Sequence, residues 1–130
     1  MLRKFLSKEK TFIIYLVIVS FVGMTIIYIA TSSYGPGVSG DSVRYLSVAQ
    51  NLLAGKGFID YSLAPRLASP PLYSIILALL GAVTGDVFVA GWALNIILFG
   101  ITIYLTGLII ATIAPDRLIC AYMGSLVVMI

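Results

Sequence analysis

Histidine is absent from this chain of 130 residues, and cysteine occurs once, at Cys120. The first absence excludes His-ligated metal sites, Ser-His-Asp triads and Cys-His nucleophiles. It leaves carboxylates as the groups able to do proton chemistry near neutral pH. The second excludes an intramolecular disulfide, and the apolar neighbours of Cys120 predict a small packed hydrophobe there. Charge is also scarce, at 10% of the chain, with five acidic residues against eight basic ones. A soluble domain carries about 25% charged and about 45 to 50% apolar residues, whereas here 61% are hydrophobic. That leaves too little polar surface to cover a core in water, so the composition requires lipid as its solvent and predicts an all-α integral membrane protein. Disordered chains, nucleic-acid-binding domains and cytosolic enzymes are excluded on the same ground. The net charge of +3 does not point to nucleic acid, because Arg3, Lys4, Lys8 and Lys10 supply half of the basic residues. Clustered before an apolar run, they mark a membrane orientation.

Four apolar stretches organise what remains, and they predict about four transmembrane helices. Residues 1–10 read as a cytoplasmic basic tail, and 11–31 as a first span of 21 uncharged residues. That span is too long for a cleavable signal sequence and lacks a clean cleavage site, so it reads as an anchor. Pro70-Pro71 suits the first turn of a second span, 71–84, because proline costs little where the amide has no helical partner. Gly85-Asp86 makes a turn, and 87–114 follows as an uncharged third span, longer than a bilayer needs. Within these spans Gly81 and Gly85, and Gly107 and Ala111, are pairs of small residues four apart that allow close helix packing. Asn95 is the strongly polar residue of the third span and reads as an interhelical hydrogen bond. Ala114-Pro115-Asp116-Arg117 forms a further turn before 118–130, an apolar run that stops mid-span. The chain therefore reads as the N-terminal part of something longer. The basic cluster places the N-terminus in the cytoplasm and residues 32–70 on the extracytoplasmic side of the plasma, or inner, membrane.

Residues 32–70 are the long polar segment, holding Asp41 and Asp60 with Arg44, Lys56 and Arg66. Tyr45, Ala49 and Leu52/Leu53 recur at the spacing of one helical face, which predicts an amphipathic helix over 42–53 lying on the membrane surface. Its polar face carries Arg44, Ser47 and Asn51, and Gly55-Lys56-Gly57 ends it. Asp41 at its start has two compatible readings. As a first-turn carboxylate it accepts backbone amides, favours the positive end of the helix and pairs with Arg44. As a carboxylate held at the membrane face, it is placed to act as general base on an acceptor hydroxyl or amine.

The wording of this segment carries a resemblance. Gly40-Asp41-Ser42-Val43-Arg44-Tyr45-Leu46, then Ala49-Gln50-Asn51-Leu52-Leu53-Ala54-Gly55-Lys56-Gly57-Phe58, then Pro70-Pro71-Leu72-Tyr73, resembles the first extracytoplasmic loop of polytopic GT-C glycosyltransferases. The resemblance is to the protein O-mannosyltransferase and aminoarabinose-transferase superfamily, including its RgtA/B/C/D-like members. It implies transfer of a sugar, with inversion, from a polyprenyl-phosphate-linked donor to an extracytoplasmic acceptor, with Asp41 as the catalytic carboxylate. Arg44 matches an arginine of the aminoarabinose branch and would orient Asp41 or touch the phosphate. Where many members have a second carboxylate this chain has Ser42, and where that branch has a phosphate-binding lysine it has Ser69. Lys56 and Arg66 read first as solvated or lipid-headgroup-contacting cations, with support of a phosphate as the alternative; Tyr45 and Tyr73 read first as interface anchors, with sugar or prenyl contact as the alternative. No cofactor is identified, and nothing in the sequence indicates a divalent metal. The resemblance implies further membrane helices to complete the donor cavity, so that this segment alone is expected to be inactive. The alternative class is a small non-catalytic multi-span membrane protein, a transporter or assembly subunit, with the polar helix as a lipid or partner contact.

Overall fold

A computed structural model of the chain describes the backbone of residues 2–62 and 70–129, and the side chains of residues 10–62 and 70–129. The described residues are helical with no β-strand. They form α1 (Leu2–Ser32), α2 (Gly40–Leu53), α3 (Pro71–Thr84), α4 (Val87–Ile113) and α5 (Leu118–Met129), with a 3-10 turn at Pro115–Arg117 leading into α5. Helix α1 begins at Leu2, so the basic residues expected as a tail ride on the same helix as the first span. At 1.5 Å per residue, the 23 residues Lys10–Ser32 cover ~35 Å and the 27 of α4 cover ~40 Å, enough for a hydrocarbon core of ~30 Å. These two helices associate the chain with a membrane. By the same measure α3, with 14 residues, reaches ~21 Å and α5, with 12, ~18 Å, so two of the four expected spans have the length to cross unaided.

The chain divides into two compact units, one of Met1–Tyr34 with Ile96–Ile130 and one of Gly35–Asn95. The first is held by apolar and aromatic packing. Phe12, Leu16 and Ala121 are buried together, and Tyr122 meets Phe12 and Tyr15 edge-on with ring centroids 5.2 and 4.5 Å away. Edge-to-face rings present positive edges to negative faces, which fixes their angle as well as their distance. The Tyr15 hydroxyl donates to the Tyr122 carbonyl at 2.9 Å, so the phenol is not left unpartnered. Gly107 is where α4 closes on this cluster. A Cβ there would run into Leu16 and lie 3.3 Å from the Ser125 Cβ. Cys120, expected as a packed hydrophobe, is exposed. The packed stripe of α5 is Ala121 and Ser125, one turn apart, and Cys120 falls with exposed Ile119 and Met123 on the rest of the helix.

The second unit contains α2, α3 and the first turns of α4. Ser39 caps α2, its hydroxyl accepting the Ser42 amide at 3.2 Å. At the other end Gly55 takes a positive φ of 70°, while its amide bonds the Leu52 carbonyl and the Lys56 amide bonds that of Asn51. This paired closure needs a left-handed residue at its centre, which is why glycine stands there. Pro70 and Pro71 start α3, and Gly85, at a φ of 78°, ends it. Of the small pair Gly81 and Gly85, only Gly81 serves close packing: a Cβ there would lie 2.7 Å from Val87 Cγ2 and 3.2 Å from its Cα. Gly85 has open space around it and is required by backbone conformation instead.

The apolar face of α2 has a different neighbour from the one expected. Ala49 is buried with Leu77, Ala78 and Val87, and Tyr45, Leu46 and Leu52 pack on the same cluster. The surface assigned to lipid thus packs largely on α3 of the same chain, with Ala49 and Leu77 buried where the two short apolar faces meet. Val43 and Leu53 remain as the exposed apolar residues of α2. Its polar face is covered in turn by the returning loop. The Asn51 amide donates to the Ile59 carbonyl at 2.9 Å, and the Tyr61 amide donates to the Ser47 hydroxyl at 3.1 Å.

Candidate functional site

Asp41 lies in the first turn of α2, but it does not cap the helix. Ser39 holds that role, and among the described residues no backbone amide donates to the Asp41 carboxylate. Its recorded bond is from Arg44 Nη1 to Oδ1, at 3.4 Å, between side chains 44% and 78% exposed, respectively. The acid that caps through its side chain is Asp86, whose Oδ1 accepts the Phe88 amide at 2.7 Å at the start of α4. Asp41 is therefore a carboxylate at the positive end of a helix with Oδ2 uncommitted.

That carboxylate borders a cavity of about 270 Å³, open on one side, within the second unit. Tyr45, one turn further along α2, continues the wall from Asp41, and Tyr73, Phe88 and Trp92 bring aromatic rings from α3 and α4. Tyr45 and Tyr73 meet edge-on at 5.4 Å, and the Tyr73 hydroxyl donates to Asn95 Oδ1 at 3.3 Å. The Ser74 hydroxyl, buried, bonds the Tyr45 carbonyl at 3.3 Å and ties α3 to α2 behind this wall. The cavity thus combines an ionisable oxygen, a phenol and an amide with apolar ring faces, the mixture expected for a neutral hydroxylated ligand.

Arg44 stands outside the lining and reaches Asp41 from the side. The Tyr61 phenol, through its hydrogen bonding and charge, raises the guanidinium pKa above its ordinary value, with smaller contributions from Asp41 and Asp60. Arg44 therefore keeps its charge at any working pH and can hold the carboxylate in place.

The remaining predicted residues are distributed unevenly. Lys56 is exposed just past the far end of α2, ~20 Å from Asp41 at 1.5 Å per residue, so the structure does not bring it to the cavity. Arg66 and Ser69 lie outside the described residues. Asn95 makes the expected interhelical bond, though on an exposed edge of the cavity rather than in a packed seam.

Asp60, which the sequence shows only as an acid of the polar segment, is 2% exposed, accepting the Ser62 amide at 2.8 Å and the Ser62 hydroxyl at 2.5 Å. The signal available was Asp60-Tyr61-Ser62, an aspartate able to bond the backbone two residues on. Among the described residues no three His, Cys, Asp or Glu side chains converge as a metal site would require. Comparison with protein-family models, curated proteins and solved structures returns no match for this chain.

Proposed function

We propose that this chain belongs to a GT-C glycosyltransferase and carries its catalytic base, Asp41. The observation that carries this reading is the exposed carboxylate at the rim of an aromatic and amide-lined cavity, with one oxygen uncommitted and Arg44 beside the other. A structural ion pair gives no reason for a ligand-sized cavity to open onto it. In this reading α1 and α4 cross the plasma membrane, α3 and α5 add two further membrane segments, and the N-terminus is cytoplasmic. Residues 32–70 then face the extracytoplasmic side, where α2, resting on α3 rather than on lipid, presents Asp41.

The chemistry is inverting sugar transfer from a polyprenyl-phosphate donor. Asp41 Oδ2 takes the proton of an acceptor hydroxyl or amine as that oxygen or nitrogen attacks the anomeric carbon. The bond from that carbon to the phosphate oxygen breaks, and the polyprenyl phosphate leaves with the electron pair. A phosphate is already a stable leaving anion, so one base suffices on the acceptor side and no histidine is needed. Arg44 acts as a positioning residue that holds one carboxylate oxygen of Asp41 and so aims the other.

The test is transfer by membranes containing the full-length transferase that carries these residues, assayed with polyprenyl-phosphate-linked hexoses and pentoses. Asp41→Asn should abolish transfer while insertion and thermal stability stay as in the parent. Transfer that survives in Asp41→Asn removes the assignment and favours a non-catalytic membrane subunit. Labelling of a cysteine at Ser62, in a Cys120→Ser background, by an impermeant thiol reagent on intact cells tests the orientation; labelling only after lysis reverses it.

A further inference from the structure

The amide of Asn95 is only half used. Tyr73 donates to its oxygen at 3.3 Å, and Tyr73 is itself fixed by the edge-on ring of Tyr45, so the amide plane is held from one side. Among the described residues nothing accepts from the two N–H donors of Asn95, which lines the cavity about 12 Å along α4 from its start. Asn95 is exposed at the edge of the cavity, so these donors are open to a ligand that enters it.

The occupant can be narrowed by what each class of ligand would need. A prenyl chain offers nothing to Asn95 or to the Tyr73 hydroxyl. A phosphate would meet the Asp41 carboxylate, and the described wall carries no cation to offset that repulsion. A sugar ring satisfies both kinds of wall: its C–H face lies on aromatic rings, and its hydroxyls pair with planar amides and phenols. A single sugar ring is smaller than a drug-sized ligand, and the cavity of about 270 Å³ falls just below the ~300 to 1,000 Å³ of drug-sized sites. Resting on the transferase reading of Asp41, we propose that the sugar ring occupies this cavity against Trp92 and Tyr73, and that Asn95 determines which sugar is accepted by donating to one ring hydroxyl.

Trp92 is the only tryptophan in these 130 residues and lines the cavity, so its emission reports ligand there directly. The detergent-solubilised protein would be titrated with a short prenyl phosphate carrying glucose, mannose, galactose or arabinose, and with the matching monodeoxy sugars. One sugar should shift Trp92 emission at the lowest concentration, and removal of one particular hydroxyl should weaken it about tenfold, the loss of one hydrogen bond to the ligand. Asn95→Ala should weaken the parent sugar by the same factor and leave that deoxy sugar unchanged. Asn95→Asp, which keeps the shape and removes the donors, guards against a packing artefact and should show the same selective loss. Equal weakening of every sugar by these variants, or no response of Trp92 to any of them, overturns the proposal. The two readings are separated by reading transfer in Asp41→Asn and the Trp92 response in the parent and the Asn95 variants. If transfer survives in Asp41→Asn, the base assignment fails while the Asn95 titrations still decide sugar selection on their own.

Discussion

The two compact units use different means of cohesion. In the unit of α1, α5 and most of α4, elements meet through small residues and rings: Gly107 under Leu16, Gly100 under Met24, and Tyr122 between Phe12 and Tyr15. Threonines on these spans turn their hydroxyls back onto their own helix, as Thr25 does to Phe21 and Thr102 to Leu98. In the unit of α2 and α3, polar side chains join separate segments: Asn51 to Ile59, Ser47 to Tyr61, Ser74 to Tyr45 and Tyr73 to Asn95. An exception in the first unit is the Tyr15 hydroxyl, which reaches the Tyr122 carbonyl. Along strongly apolar helices cohesion rests mainly on close van der Waals approach, with most hydroxyls satisfied by their own helix. Where segments are more polar, side-chain bonds join them, and a ligand can compete for such bonds.

That contrast can be tested by breaking each unit in its own terms. The largest effect is expected at Gly107→Val, where the added atoms meet Leu16 and Ser125; overpacking of this kind costs about 1 to 3 kcal/mol, read as a lower unfolding temperature in detergent. Sugar binding to the other unit, read through Trp92, should outlast that loss at temperatures where Gly107→Val is still folded. Next comes Asn51→Ala, which strips the Ile59 carbonyl of its donor and should cost ~1 to 2 kcal/mol, with faster hydrogen exchange confined to residues 58–62. Ser39→Ala removes the cap of α2 and should cost ~1 kcal/mol, with fraying of its first turn and reduced transfer through a less well placed Asp41. The smallest effect on stability is expected at Asp41→Asn itself: an exposed pair 3.4 Å apart contributes little, so unfolding should not change measurably while transfer is lost. A marked drop in stability in that variant would recast Asp41 as a structural residue.

Asp41 and Asp86 illustrate what was legible in advance. Both are acids at the beginning of a helix, and the expectation of backbone bonds at Asp41 applies instead at Asp86. Ser39, two residues before Asp41, outcompetes it for the cap because a cap must precede the first helical residue with extended backbone, and Ser39 has a ψ of 166°. The face of α2 was correctly periodic, but periodicity says only that a face is apolar. Whether lipid or another helix covers it depends on where α3 lies.

The sequence by itself determined the membrane class, the two long helices, the start of α3 at Pro70-Pro71 and the end of α2 at Gly55. Each of these follows from composition or from backbone hydrogen-bonding needs that a few consecutive residues express. Only the tertiary structure decided that α2 rests on α3, that Asp60 is buried, and that Asp41 shares a cavity with Tyr73 and Asn95. These depend on contacts such as Tyr73 to Asn95 and Ser74 to Tyr45, 22 and 29 residues apart, which close only when helices pack and which no local pattern of residues specifies.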